Sequence, residues 1–196
     1  VSRQEPSRNI VEAVGAVSSV LSRTGADHMI IGGIAVIARG LPRHTDDVDA
    51  TVWGESVDLD DLQTKLESVG IEERIPDALD FAREHQVLLV RHRSTSTPMD
   101  ITLAWLPFER EALDRAEQID FAGLSIRVPT PEDLVIFKAV AWRDRDRTDI
   151  ERLLAAYGKG MDMHRIRRVV GHFAEVLEAP ERLAELEQFI HRTRTG

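Results

Sequence analysis

Residues 30–53 constrain the fold of this chain more than any other stretch. They run Ile30-Ile31-Gly32-Gly33-Ile34-Ala35-Val36-Ile37, pass through Arg43-His44-Thr45, and end in Asp47-Val48-Asp49-Ala50-Thr51-Val52-Trp53. The pattern predicts a strand, a glycine turn, a short helix over 34–39, a loop, and a second strand opening on paired carboxylates. Glycines let the backbone come close to a bound group. A helix starting at Ile34 would aim its free N–H groups and positive end at that group. On a strand, Asp47 and Asp49 share a face, with Val48 and Ala50 on the other. Carboxylates aimed together repel, and a hard divalent cation such as Mg2+ (or Mn2+) relieves that repulsion. A phosphate-binding turn beside such a pair points to nucleotide chemistry.

The flanking sequence reads as alternating helices and strands. Residues 7–23 form a helix with Ile10, Val14, Val17 and Leu21 on one stripe and Gly25 as its stop. A short buried strand covers 28–31. Residues 58–69 form an amphipathic helix whose acidic start suits the helix dipole, so Asp58, Asp60 and Asp61 need no catalytic role. Residues 71–83 are poorly patterned and read as loop plus a short helix. Residues 86–93 are a strand rich in Val and Leu, ending in Arg91, His92 and Arg93. After a turn at 94–98, residues 99–105 alternate strictly: Met99, Ile101 and Leu103 on one face, Asp100 and Thr102 on the other. A charged helix at 107–118 precedes a hairpin at 119–128 turning on Ala122-Gly123.

Thr130-Pro131-Glu132-Asp133 is a helix start, with Thr130 as N-cap. The helix over 131–142 carries Leu134, Phe137 and Val140 inward. Lys138 emerges from this apolar segment, either snorkelling to solvent or holding a triphosphate and balancing the charge of leaving pyrophosphate. Asp146 and Asp149 share one helical face; either can bond Lys138 or a substrate group, and Asp146 can equally cap its own helix. From Met161 helices run on, with breaks expected near Gly171 and Pro180. Arg165, Arg168 and His172 fall on one helical face beside Arg167, the best stretch for touching a polyanion.

Ile31-Gly32-Gly33 followed by Asp47-Val48-Asp49 resembles the signature of the DNA polymerase beta-like nucleotidyltransferase superfamily. The form Thr45-x-Asp47-x-Asp49 is most similar to the minimal AbiEii-type and MenT-type members. A second stretch, Pro131-Glu132-Asp133-Leu134, then Lys138, then Arg143-x-Arg145-Asp146-x-x-Asp149, is similar to AbiEii members too, with Arg145 where they commonly carry Lys. The resemblance spans roughly residues 30–154. It implies an α+β (α/β) fold: a nucleotidyltransferase core with a mixed β-sheet flanked by helices over 1–128, and a helical region over 129–196 packed on it and contributing Lys138. It implies an enzyme moving NMP from an NTP to an acceptor hydroxyl. Its catalytic set would be Asp47, Asp49, Asp100 and Lys138, with Mg2+ or Mn2+ on Asp47, Asp49 and Asp100. Asp100 takes the place of the third carboxylate, as general base or second-metal ligand. Gly32, Gly33, Arg43, Thr45, Lys138 and Asp146 would contact the nucleotide. The acceptor stays open: the 3′ end of transfer RNA or other RNA, as in toxins paired with an antitoxin protein, or an antibiotic, or a protein side chain. A non-catalytic binding or antitoxin module, and a metal-dependent phosphohydrolase, are the competing classes.

Composition narrows the classes further. With no cysteine, disulfides and thiol chemistry are excluded. The net charge of -9 argues against a chain that coats nucleic acid, though not against one gripping an RNA end locally. No apolar run approaches the roughly 20 residues that span a bilayer, and no signal peptide is seen; a cytoplasmic enzyme is expected.

Overall fold

The computed structural model describes residues 6–195. The chain divides into two compact units, 1–129 and 130–196. The first is built on a five-stranded sheet. Its strands are β1 (His28–Ile30), β2 (Val48–Trp53), β3 (Ile71–Glu73), β4 (Val87–His92) and β5 (Thr97–Ala104), in the order β1-β2-β5-β4-β3. Only the central pair, β2 and β5, runs parallel. The helices of this unit are α1 (Arg8–Thr24), α2 (Gly32–Ala38), α3 (Leu59–Ser68), α4 (Ala78–His85) and α5 (Pro107–Arg115). A separate hairpin, β6 (Glu117–Phe121) and β7 (Leu124–Val128), turns on Ala122 and Gly123. Both have positive φ, 51° and 84°, as the right-handed twist of a two-residue hairpin requires.

Local chemistry explains the boundaries. Ser7 Oγ accepts the Ile10 N–H and starts α1, and Gly25 at φ 75° stops it. Asp58 accepts the N–H groups of Asp60 and Asp61 and so starts α3. Glu109 Oε2 accepts from Trp105 and Leu106 at 3.0 Å and starts α5. On β5 the alternation is complete: Met99, Ile101 and Leu103 are buried, while Asp100 and Thr102 stand half-exposed on the opposite face. Two expectations are corrected. The helix after Ile31 begins at Gly32 rather than Ile34, so both glycines lie in its first turn. Residues 71–83 contain a strand, β3, too short for periodicity to reveal.

His28 on β1 is the one histidine whose pKa moves clearly, among the described residues: burial pushes it below the usual 6.5, against an opposing hydrogen bond to the Ala26 carbonyl (3.0 Å). The unfolded chain therefore takes up this proton first as pH falls. The fold should lose stability as pH drops through about 6.5 towards the lower folded value, and be insensitive above it. Thermal unfolding across pH 5.5–7.5 should show that slope, and His28→Gln should flatten it. An unchanged slope in the variant would remove His28 as its source.

The second unit is helical: α6 (Pro131–Ala141), α7 (Asp144–Tyr157), α8 (Met163–Val176) and α9 (Glu181–Thr195). Helix α6 packs against the other three. It buries Leu134, Val135, Ile136 and Ala139, while Phe137 and Val140, expected innermost, are only half-buried. A helix apolar on nearly every side is a central helix, so a single-stripe reading underestimates its burial. Helix α8 runs through Gly171 unbroken; the break comes at Leu177–Pro180. Arg165, expected on a polar face, is buried, with Nε and Nη2 both on Asp133 Oδ1 at 3.1 and 2.8 Å. Arg167 is paired with Glu187 at 2.6 Å. Of the four residues expected on one charged face, Arg168 and His172 remain exposed.

Candidate active site

The turn from β1 into α2 is built around Asp49. The Ile31 N–H donates to the Asp49 carbonyl at 2.9 Å, tying the end of β1 to β2. Gly32 then adopts φ 62°, a conformation L side chains rarely take. A Cβ at Gly32 would lie 1.9 Å from Asp49 Oδ2, so only glycine leaves room for that carboxylate. Gly33 is crowded in the same way. A Cβ there would come within 2.5 Å of Thr45 Oγ1 and 3.1 Å of Arg43 Cζ. The two glycines thus seat two different parts of the signature, the strand carboxylate and the preceding loop.

Asp47 lies one residue before β2, with its side chain exposed, and Thr45 Oγ1 donates to its Oδ1 at 2.6 Å. Thr45 itself is buried. The strand therefore starts later than expected, and Asp47 is oriented by Thr45 rather than by a sheet ladder. Asp49, half-buried, is the register partner of Asp100 across the parallel β2–β5 pair. Neighbouring strands lie about 4.8 Å apart, so the two carboxylates rise side by side from one face.

Asp100 already has a cation beside it. Arg74, immediately after β3, reaches its Oδ1 at 2.7 Å. Among the described residues, no three acidic or histidine side chains are gathered in a metal-holding cluster. Mg2+ commonly takes only one or two protein carboxylates and completes its shell with substrate phosphates and water. Asp47 and Asp49, hard oxygen donors flanking Val48, fit that requirement, and the Arg74 charge on Oδ1 lowers the pull Asp100 would add. Sequence reasoning missed Arg74, because the irregular stretch around it gave no signal.

In the second unit, Lys138 is buried and its Nζ lies 2.8 Å from Asp146 and 3.1 Å from Asp149. Asp146 also accepts the Arg143 N–H at 3.1 Å, capping α7. Asp146 thus fills both roles the sequence left open for it, cap and lysine partner. Arg145 is exposed.

A mixed five-stranded sheet flanked by helices is the architecture of a nucleotidyltransferase fold. Residues 9–183 match the family DUF6036, described as nucleotidyltransferase of unknown function, and the chain belongs to that family. No curated protein sequence matches it. Among solved structures it is similar to ANT(2″)-Ia in complex with adenylyl-2″-tobramycin: 19% identity, TM-score 0.57, covering 84% of this chain and 96% of the other. It is also similar to an antigenic nucleotidyltransferase-like protein from Paracoccidioides brasiliensis, at 16% identity and TM-score 0.52, covering 91% and 94%. At these identities the likeness is one of fold. No described helix is long and apolar enough to cross a membrane.

Proposed function

We propose that this enzyme transfers a nucleoside monophosphate from an NTP to an acceptor hydroxyl, in a divalent-cation-dependent reaction. The observation that carries this reading is the Asp49 carboxylate seated on Gly32 with Asp100 in register beside it. Asp47 and Asp49 would hold Mg2+ or Mn2+, which when bound supplies charge neutralisation and Lewis-acid polarisation at the phosphates. The phosphates lie towards Gly32 and Gly33, with Thr45 and Arg43 behind them. The acceptor oxygen attacks the α phosphorus in line as Asp100 takes its proton. The bond from that phosphorus to the β-phosphate oxygen breaks, and pyrophosphate leaves. Positioning and electrostatics make up most of the protein's contribution. Lys138 and Asp146, read from the sequence as nucleotide contacts, bind each other; their geometry supports a role in fixing α6 to α7.

For the acceptor, the sequence resemblance to AbiEii-type and MenT-type proteins favours an RNA or transfer RNA 3′ end, with a cognate antitoxin as partner. The fold likeness to ANT(2″)-Ia, seen with an adenylylated aminoglycoside, favours a small-molecule hydroxyl. Each α-labelled NTP, incubated with the protein, Mg2+, total RNA and a panel of aminoglycosides, separates them. Label in a tRNA-sized band supports the first, and label on a small molecule the second. If nothing is labelled and NTP gives no magnesium-dependent rise in unfolding temperature, the transfer reading is wrong.

A further inference from the structure

Sheet register lines up a row of residues across four adjacent chain segments. Asp49 on β2 faces Asp100 on β5, and Asp100 faces Leu89 on β4. The Arg74 N–H donates to the Leu89 carbonyl at 3.0 Å, which carries the ladder one residue past β3 and fixes where Arg74 starts. Side chains in one such row stand on the same face. From that anchored position the Arg74 guanidinium reaches Asp100 Oδ1 at 2.7 Å. Both side chains are partly shielded, Arg74 at 31% and Asp100 at 44% exposure. The positive charge thus lies against the carboxylate that a transfer reaction needs as base or metal ligand.

We propose that Arg74 is a positioning residue that latches Asp100, holding it away from the divalent cation at Asp47 and Asp49 until Arg74 lets go. This rests on the reading of those two carboxylates as the cation site. A guanidinium and a divalent cation on one carboxylate repel each other, so that carboxylate attracts the cation less while Arg74 rests on its Oδ1. With Arg74 in place, Asp100 adds little to cation affinity. With Arg74 neutralised, Asp100 is released and adds to it.

The test is Mn2+ binding to the whole chain without nucleotide, read by the loss of the free-ion EPR signal. Arg74→Gln is expected to bind Mn2+ about fivefold or more tightly than wild type, because an opposing charge leaves and a carboxylate is gained. Asp100→Asn should change wild-type affinity less than twofold but erase the gain in the Arg74→Gln background. Arg74→Lys, which keeps the charge, should stay near wild type and serves as a folded reference if the glutamine variant misfolds. Loss of a merely structural ion pair would lower the unfolding temperature without tightening Mn2+. If Asp49→Asn abolishes Mn2+ binding while Arg74→Gln leaves it unchanged or weaker, the latch is refuted and the cation site stands. The same holds if Asp100→Asn weakens the wild type as strongly as it weakens Arg74→Gln. If wild type and all variants fail to bind Mn2+, the cation reading itself falls.

Discussion

Asp49→Asn is expected to cut nucleotidyl transfer by about a thousandfold, the loss of about 4 kcal/mol of charge stabilisation at the phosphates. The substitution isolates charge from shape. An asparagine fills the space against Gly32 that the carboxylate fills now, where even a single added carbon at the glycine would stand 1.9 Å from Oδ2. The unfolding temperature should therefore hold or rise slightly, since one of two neighbouring carboxylates is discharged. Asp46 provides the control: it is one residue from Asp47, but its exposed side chain pairs with His44, at 3.0 Å. Asp46→Asn should keep transfer within about twofold of wild type, as expected for an exposed pair. Label transfer measured under saturating NTP decides the matter; full activity in Asp49→Asn would show that Asp49 is not a metal carboxylate.

Much of this arrangement can be read from the chain because its causes are local. The alternation on β5 needs only a period of two, and it places Asp100 on the opposite face from Met99 and Ile101 without knowledge of any partner strand. Ser7, Asp58 and Thr130 start their helices by bonds within three residues. The Ala122-Gly123 turn needs only its own two dihedrals. What could not be read depends on distant pairing. The parallel register of Asp49 with Asp100 joins residues that local propensity cannot link. Arg74 gains its place from a ladder bond to Leu89, while its own neighbourhood carries no period. Arg165 misled for a related reason. An arginine on an amphipathic helix reads as a solvated charge, and only the fold shows a carboxylate from another helix turning that position inward. Gly171 reads as a break because of its intrinsic cost, which packing within a long helix overrides.

Asp133→Ala is expected to be the most destabilising single change in the second unit, costing about 3–5 kcal/mol, the usual result of stripping one partner from a buried ion pair. Asp133 is fully buried, and Arg165 is 7% exposed. Oδ1 accepts from Nε and Nη2 of Arg165, while Oδ2 accepts the Thr130 hydroxyl at 2.9 Å. The carboxylate therefore joins the start of α6 to α8, and its loss leaves a guanidinium charge buried without that partner. For a chain of this size the unfolding midpoint should drop by roughly 10 °C. The pair need not be net stabilising, because both charges were taken out of water to form it. Replacing both together, Asp133→Leu with Arg165→Met, should recover most of the loss, and a stability near wild type would separate the cost of an orphaned charge from the worth of the pair. The exposed Arg147–Asp144 pair sets the scale for a surface interaction; Asp144→Ala should change stability by less than about 0.5 kcal/mol. Urea unfolding followed by circular dichroism measures all three. If Asp133→Ala is as mild as Asp144→Ala, the buried pair does not hold the second unit together, and the apolar packing of α6 is sufficient by itself.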